Sequence, residues 1–223
     1  MKTILEIACF EITSALIALQ SLADRIEFCS ERNEGGLTPN IEEFRYLRSL
    51  HKKPIFIMIR PKSGSFLYSD EEFEQMKKEL LHFKAAGADG FVFGILEEGN
   101  RIDKERNKSL LELASPLPCT FHRAYDRTPD LKESIEQLIE LGFTAVLTSG
   151  GASTAMEGKE VLKELQELYG SKIDILVGGG VRSSNISELQ KEIKSLYYHS
   201  SAVPQYETFV NEVEIKNLRE NLV

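Results

Sequence analysis

Short apolar runs recur along the chain, and a stretch with helical periodicity follows each of them. The runs cover residues 4–9, 25–29, 54–60, 90–94, 118–122, 145–149, 173–178 and 196–199. Apolar runs of about 4–8 residues between turn signals are typical of strands that a sheet buries on both faces. The alternation predicts an α/β fold, a (β/α)8 TIM barrel formed by a single domain over residues 1–223.

Helix signals stand in the segments between the runs. Asn40 is a candidate N-cap for a helix over residues 41–50, and Gly142 ends a helix predicted over residues 131–141. Residues 30–40 form a long connection after the second strand. Because long strand-to-helix loops of a barrel usually belong to the functional face, we expect this loop at the rim that carries the site.

The net negative charge of the chain argues against nucleic acids as partners. The chain has 27 Lys and Arg against 35 Asp and Glu, a formal net charge of -8. A nucleic-acid-binding protein needs a basic surface that neutralises phosphates, so we expect neither DNA nor RNA as a partner. No apolar stretch of the sequence approaches the roughly 18 residues of a membrane span, and the N-terminal apolar segment is too short for a signal peptide. We therefore expect a cytoplasmic protein that binds no membrane.

Polar residues stand inside or at the end of several predicted strands. Glu6 and Glu27 interrupt apolar runs, and Arg60, His122 and His199 close others. The carboxyl ends of barrel strands converge on one rim, so we expect these side chains to share one pocket. A buried carboxylate needs a cation or hydrogen-bond donors, and Arg60 is the expected partner of both glutamates.

The same residues have the chemistry of an enzyme site. His122 begins a turn that reaches Asp126, whose carboxylate is expected to orient the imidazole for proton exchange. Under this interpretation the catalytic residues are Glu6, Glu27, Arg60, His122 and Asp126. The competing interpretation is a set of buried salt bridges and hydrogen-bonded side chains without chemistry.

Glycines and hydroxyl side chains follow the sixth, seventh and eighth predicted strands. Glycine-rich turns expose backbone amides to a ligand, and barrels often bind phosphate after strands seven and eight. The predicted anion-binding residues are Thr148, Ser149, Gly178, Gly179, Gly180, His199 and Ser200. The same glycines also fit simple tight turns, so both interpretations stay open.

The three cysteines, Cys9, Cys29 and Cys119, are expected to be reduced thiols, because a chain of this length needs no disulfide staple. Cys9 and Cys29 end neighbouring predicted strands, and thiolates select soft ions such as Cu(I). Cys29 and Cys9 are therefore the candidate metal ligands. A small buried thiol also serves as an ordinary apolar residue, which is the competing interpretation.

Six sequence blocks occur in the order found in the CutC family, whose members are described as cytoplasmic copper homeostasis proteins: RIEFCS from residue 25, GGLTP from 35, MIRP from 58, TFHRAYD from 120, LTSG from 147 and HSSA from 199. The resemblance implies a TIM barrel and Cu(I) as the bound ion. The first-strand cysteine of the family corresponds to Ala8 here, and Cys9 stands one place further on, on the opposite face of the strand. Cys29 matches its family position, which makes it the stronger candidate ligand.

Two functions from different classes remain open. The first is a copper homeostasis protein that handles Cu(I) through Cys29, with Cys9 as a second ligand. The second is a TIM-barrel enzyme that acts on a small anionic or phosphorylated molecule at the C-terminal rim. The expected partner is accordingly a copper ion or a small anion, and the aromatic loop of Phe66, Leu67 and Tyr68 offers a surface for a homodimer.

Overall fold

The computed structural model describes residues 2–222, in which ten strands and eight α-helices alternate. The strands are β1 (Ile4–Cys9), β2 (Arg25–Phe28), β3 (Ile55–Met58), β4 (Gly90–Phe93), β5 (Leu96–Glu97), β6 (Arg101–Ile102), β7 (Cys119–Phe121), β8 (Ala145–Thr148), β9 (Asp174–Val177) and β10 (Tyr197–Ser200). The helices are α1 (Ile12–Gln20), α2 (Ile41–Leu50), α3 (Asp70–Ala85), α4 (Lys104–Ala114), α5 (Leu131–Leu141), α6 (Lys159–Tyr169), α7 (Ile186–Ile193) and α8 (Glu212–Glu220).

Eight of the strands close into a parallel barrel in the order β1-β10-β9-β8-β7-β4-β3-β2. The predicted TIM barrel is therefore confirmed. The two remaining strands, β5 and β6, form a small antiparallel hairpin after β4 that the apolar pattern did not predict. Within residues 2–222 every helix is too short or too polar to span a lipid bilayer.

Local signals explain where two of the helices begin and end. The side chain of Asn40 accepts hydrogen bonds from the backbone amides of Glu42 and Glu43, so it caps α2 as predicted. Gly142 ends α5 with a φ of 97°, a left-handed conformation that favours glycine. These caps fix where the chain leaves each helix and turns back toward the barrel.

Strand alternation divides the buried side chains into two layers. On β1, Leu5, Ile7 and Cys9 join the large core that includes the side chains of the surrounding helices. Glu6 and Ala8 occupy the alternate positions, which face the barrel interior. This division places every second residue of a barrel strand where a ligand at the rim can meet it.

Parallel pairing brings charged residues of three neighbouring strands side by side. Glu6 on β1 is in register with Arg25 on β2 and with His199 on β10. Ala8, two positions after Glu6, is in register with Glu27. Because residues two apart on a strand share a face, Arg25 and Glu27 both point into the barrel.

Apolar side chains fill the barrel interior next to these charges. Phe56, Met58, Val92 and Cys29 form one buried cluster. Gly90 makes room for this cluster, because a Cβ at that position would stand 2.6 Å from the ring of Phe56. The interior is therefore a packed core that opens only at the rim.

Candidate functional site

A cavity of about 610 Å³ opens at the carboxyl ends of the barrel strands. All parallel barrel strands end at this rim, so their last residues and the following loops form the wall. The long loop after β2 contributes residues 32–35 to the wall. The structure brings eight of the predicted site residues together there: Glu27, Arg60, His122, Asp126, Gly179, Gly180, His199 and Ser200.

Several other predicted site residues are buried outside the cavity wall. Of the described residues, Glu6, Thr148, Ser149 and Gly178 do not line the cavity. Gly178 is needed for packing, because a Cβ there would stand 2.5 Å from Cδ1 of Leu147. The expectation that Thr148, Ser149 and Gly178 contact an anion directly is therefore corrected.

Glu6 joins Arg25 and His199 in a buried charge network next to the cavity, referred to below as the interior network. Nε of Arg25 donates to Oε2 of Glu6 at 2.5 Å, and Nδ1 of His199 lies 2.7 Å from Oε1 of the same carboxylate. The prediction that Arg60 pairs with Glu6 and Glu27 is wrong, because Arg25 pairs with Glu6 and His199 lies beside both glutamates. The signal for Arg25 was present in the sequence, since Arg25 and Glu27 occupy the same face of β2.

The interior network sets the charges of its members. Burial raises the pKa of Glu6, but the charge of Arg25 and the hydrogen bond from His199 outweigh this effect and lower the pKa to about 2. Burial lowers the pKa of His199, but the hydrogen bond to Glu6 and the charge of Glu27 outweigh it and raise the pKa above the usual value. Glu6 therefore stays ionised and holds Nδ1 of His199, which leaves Nε2 on the side of Glu27.

Glu27 faces the cavity and is less fully compensated than Glu6. Its Oε2 lies 3.6 Å from Nε2 of His199. Its Oε1 has no hydrogen-bond partner within residues 2–222, although the side chain is only 4% exposed. Burial raises the pKa of Glu27, and the charge of His199 offsets this only in part. The site thus contains a carboxyl group with one oxygen available to a ligand.

Arg60 connects two loops at the cavity wall. Its Nη1 donates to the carbonyl oxygens of Glu34 at 2.6 Å and Gly36 at 3.0 Å, and its Nη2 donates to that of Gly64 at 3.3 Å. The guanidinium carbon lies 4.8 Å from the centroid of the Phe66 ring. Arg60 forms no ion pair among the described residues, so it brings uncompensated positive charge to the wall.

His122 is a buried neutral imidazole with a defined tautomer. Its Nδ1 accepts a hydrogen bond from the backbone amide of Ala124 at 3.2 Å, so the ring proton lies on Nε2. Burial and the charge of Arg60 lower the pKa of His122 to about 3. Gly94 leaves room for the ring, because a Cβ there would stand 2.7 Å from Nδ1. The expectation that Asp126 orients His122 for proton exchange is wrong, since the backbone performs that task.

Asp126 instead fixes Arg123 and the loop after β8. Its Oδ2 accepts from Nε of Arg123 at 2.8 Å, and its Oδ1 accepts from Oγ1 of Thr148 at 2.5 Å and from the amide of Gly151 at 3.0 Å. Arg123 also donates from Nη2 to Oγ of Ser149 at 2.6 Å. Thr148 and Ser149 therefore act on the site indirectly, by holding Asp126 and Arg123 in place.

Arginines of the rim loops are the functional residues that the sequence reasoning missed. Arg182 donates to Oγ of Ser200 at 3.2 Å and to Oγ of Ser201 at 3.1 Å. Gly179 lies close to the guanidinium of Arg123, since a Cβ at this position would stand 3.4 Å from Nη1. The signal was the position of Arg123 and Arg182 in the loops that follow the strand ends, beside residues already assigned to the site. Five arginines line the cavity: Arg32, Arg60, Arg123, Arg127 and Arg182.

Phe66 of the aromatic loop belongs to the site wall. Tyr68 is buried, with 7% of its area exposed, and Phe66 packs against the core. The ring centroid of Phe66 lies 4.8 Å from that of His122. The expected exposure of this loop is therefore corrected for Tyr68, while a homodimer contact through the loop stays a prediction.

The two predicted metal ligands lie in different layers. Cys9 belongs to the outer core, and its Sγ contacts the carbonyl oxygen of Ile7 at 3.6 Å. Cys29 lies in the interior cluster beside Met58, and its Sγ donates to the carbonyl oxygen of Cys9 at 3.4 Å. Burial raises the pKa of both thiols. Cys9 therefore faces away from the cavity, which corrects its assignment as a ligand at the rim.

Side chains with hard donor atoms come closest to a metal-ligand set. Within residues 2–222, the one group of three such side chains is Glu6, Glu27 and His199, whose ligand atoms lie within 4.8 Å of one another. Both oxygens of Glu6 are already engaged, by Arg25 and by His199. Cu(I) prefers sulfur ligands, so this oxygen and nitrogen set does not suit it.

Known proteins of one family resemble the chain over most of its length. The profile of the CutC family matches residues 3–204. The human protein named copper homeostasis protein cutC homolog is 42% identical over 199 residues, which cover 89% of this chain and 73% of the relative. A protein from Photorhabdus laumondii named family protein CutC is 40% identical over 200 residues, which cover 90% of this chain and 80% of the relative.

A solved structure of the same family has the same barrel. The crystal structure of CutC from Streptococcus agalactiae superposes with a TM-score of 0.85 at 32% sequence identity. The match covers 89% of this chain and 98% of the bacterial one. The similarity therefore extends to both sequence and three-dimensional structure.

Proposed function

The chain belongs to the CutC family, and from that premise we propose that it acts in copper homeostasis in the cytoplasm. The names of its relatives support the role in copper homeostasis. The three cysteines, which are free and buried, are consistent with a reducing compartment. The cavity supports one binding function best, namely the capture of a small anionic molecule at the rim of the barrel.

The charge of the cavity wall carries this conclusion. Five arginines line it, against the three carboxylates of Glu27, Glu34 and Asp126. Arg123 and Arg182 are held by loop residues on either side of Gly179 and Gly180. Guanidinium groups bind carboxylate and phosphate with paired hydrogen bonds, and glycine turns let backbone amides approach the same oxygens.

A thermal-shift titration tests the binding function. Inorganic phosphate, citrate, ribose 5-phosphate and dihydroxyacetone phosphate serve as probes. We expect at least one probe to raise Tm in a concentration-dependent way, as mass action requires of a ligand that binds the folded state. Arg182→Gln and Arg123→Gln should abolish this shift. Arg101→Gln is the matched control, because Arg101 lies on the exposed hairpin outside the cavity.

Two results would contradict the binding function. The first is a shift of equal size in the wild type, Arg123→Gln and Arg182→Gln, which would place the anion elsewhere on the surface. The second is the absence of any shift with all four probes.

Cu(I) binding at Cys29 is a second candidate, favoured by the position of Met58. A Cβ on Gly36 would stand 3.4 Å from both Sγ of Cys29 and the methyl carbon Cε of Met58, and the two side chains belong to the same buried cluster. Sulfur ligands of these two kinds suit Cu(I). The raised pKa of Cys29 means that copper must displace a proton from the buried thiol, which lowers the apparent affinity at neutral pH.

Anaerobic Cu(I) titration against a competing chelator tests the second candidate. We expect Cys29→Ser to lose stoichiometric binding and Met58→Leu to weaken it. Cys9→Ser is the matched control, since Cys9 lies in the outer layer and should leave binding unchanged. Equal binding by the wild type and all three variants would exclude Cys29 as a ligand.

A further inference from the structure

We propose that the cavity is an active site that moves a proton at the carbon next to a carbonyl group, in a small carbonyl compound that also carries a phosphate or carboxylate. Glu27 and His122 are the catalytic residues. The inference rests on the proposed binding of a small anion in the cavity and names the reaction class of that same site.

Unpartnered polar atoms carry this proposal. Seven buried side-chain nitrogen or oxygen atoms lack a hydrogen-bond partner within residues 2–222. Two of them, Oε1 of Glu27 and Nε2 of His122, belong to side chains that line the cavity. A buried polar atom without a partner costs free energy, so such atoms are usually satisfied in folded proteins. Their concentration here indicates a ligand that offers complementary donors and acceptors.

His122 presents a hydrogen-bond donor to that ligand. Because Nδ1 accepts from the amide of Ala124, the neutral ring carries its proton on Nε2. The side chain is packed between Phe66, Phe121 and the backbone of Gly94, which fixes its direction. A neutral imidazole that donates to a carbonyl oxygen stabilises the negative charge that develops there when a neighbouring C–H bond breaks. The low pKa of His122 is consistent with this role, since the ring stays neutral at physiological pH.

Glu27 presents the proton acceptor. Its Oε1 is free within the described part of the chain, while its Oε2 faces Nε2 of His199 at 3.6 Å. Glu27 lies on β2 and His122 follows β7, and the barrel places β3 and β4 between them. The base and the donor therefore approach a bound molecule from different sides, as attack on a C–H bond beside a polarised carbonyl requires.

The proposed step is balanced without a redox partner. The C–H bond next to the carbonyl breaks, and its proton moves to Oε1 of Glu27. The electron pair of that bond forms a carbon–carbon double bond, while the π pair of the carbonyl moves onto oxygen and is stabilised by Nε2–H of His122. Return of a proton to carbon restores the carbonyl. A proton that has exchanged with solvent in the meantime leaves a solvent hydrogen on the product.

The rim arginines supply the specificity for the anionic end of the molecule. Arg123 and Arg182 lie in the loops after β7 and β9, beside Gly179. Asp126 is a positioning residue, because it holds Arg123 and does not need to touch the substrate. Glu6 is a second positioning residue, which acts through His199.

Hydrogen–deuterium exchange at carbon tests the proposal. The protein is incubated in D2O with dihydroxyacetone phosphate, glyceraldehyde 3-phosphate, ribose 5-phosphate or pyruvate, and the loss of the proton signal next to the carbonyl is followed by NMR. We expect at least one probe to exchange faster than without protein. Glu27→Gln should slow this exchange about 100-fold or more, the usual contribution of a general base. His122→Ala should slow it about 100-fold, as loss of an oxyanion donor does.

Controls separate chemistry from folding and binding. Glu97→Gln, on the exposed hairpin, should exchange at the wild-type rate. His122→Gln, which keeps a donor, should recover part of the rate lost in His122→Ala. Glu27→Asp keeps a carboxylate but moves it away from the substrate. Its exchange rate should lie between those of the wild type and Glu27→Gln. Thermal melts show whether each variant is folded and still binds the probe.

The outcomes distinguish this proposal from the binding function on which it rests. Binding that depends on Arg123 and Arg182 without exchange of any probe would overturn the proposed reaction and leave anion binding in place. Exchange that survives in folded Glu27→Gln would likewise overturn it. Failure of all probes to bind or exchange would overturn both.

Discussion

The charged groups inside the barrel fall into two regions that are built differently. In the interior network, Arg25 and His199 share the Glu6 carboxylate across three adjacent strands, and Glu27 faces the other side of the His199 ring. At the rim, Arg60 and Arg182 are held by carbonyl and hydroxyl oxygens of the loops, which carry no charge. The first region compensates its charges internally, whereas the second presents positive charge to the cavity.

This difference assigns the two regions different tasks. A buried ion pair is costly to break, because removal of one partner leaves the other charge unpaired in a low-dielectric interior. An arginine held by neutral oxygens keeps its charge available for a ligand. Substitutions in the interior network should therefore act mainly on stability, and substitutions of the rim arginines mainly on binding.

The largest effect is expected from Arg25→Met. The substitution keeps an apolar stem but leaves the Glu6 carboxylate, which is 1% exposed, without its cation. We expect the free energy of unfolding to fall by about 3–5 kcal/mol, measured by urea denaturation. Arg101→Met is the matched control, because Arg101 and Glu97 form an exposed pair expected to contribute about 0–1 kcal/mol. Similar losses in the two variants would remove the distinction between the interior network and a surface ion pair.

A smaller effect is expected at the rim from Asp126→Asn. The carboxylate accepts from Arg123, Thr148, Ser149 and Gly151, and an amide cannot accept at both positions. We expect a loss of about 1.5–3 kcal/mol in the free energy of unfolding, together with weaker binding of anionic probes as Arg123 loses its anchor.

Asp130→Asn provides the matched control for Asp126→Asn. Asp130 also accepts from backbone amides, but as the N-cap of α5, where asparagine serves about as well. Asp130→Asn should therefore leave both the free energy of unfolding and the binding of anionic probes close to those of the wild type. Equal effects of the two substitutions would show that Asp126 is only another loop cap.

The sequence predicted the fold well because the barrel depends on patterns that single strands display. The barrel strands are short and largely apolar, and α2 and α5 have the predicted bounds because Asn40 and Gly142 mark their ends. The hairpin of β5 and β6 escaped prediction because strands of two residues are too short to show alternation.

The position of the site could be predicted from the sequence more readily than the hydrogen-bond partners within it. The rule that strand ends converge placed Glu27, Arg60 and His122 at one rim. The partner of Glu6 was harder to choose, because the pairing of Glu6 with Arg25 depends on the register between β1 and β2 in the closed barrel. Hydrogen-bond partners depend on which atoms meet across strands and loops, and local sequence carries little of that information.

The same limit applies to Asp126. A short 3-10 turn over Arg123–Arg127 directs Asp126 toward the loop after β8 and away from the ring of His122. For Cys9, strand alternation alone was sufficient to predict the direction of the side chain. Cys9 follows Ala8 by one residue, so its thiol faces the outer layer. Predictions from strand geometry therefore held where predictions of side-chain partners failed.

The smallest effect is a difference in pH dependence between the two histidines of the site. His122 has a pKa lowered to about 3 by burial and by Arg60, against 6.5 for a free histidine. Below pH 6.5 the unfolded chain gains a proton there that the folded chain does not, so stability falls as the pH falls. From pH 7 to pH 5 this loss amounts to about 2 kcal/mol.

The pKa of His199 is shifted in the opposite direction, because Glu6 and Glu27 stabilise its protonated form against the effect of burial. Its contribution to stability is full below pH 6.5 and is lost as the pH rises through the folded-state value. Urea denaturation at pH 5, 6, 7 and 8 should therefore show a flatter acid limb for His122→Gln than for the wild type. His82→Gln, on the exposed face of α3, should run parallel to the wild type. An acid limb in His122→Gln as steep as in the wild type would mean that His122 can take up a proton in the folded protein, and the neutral donor required at the cavity wall would be lost.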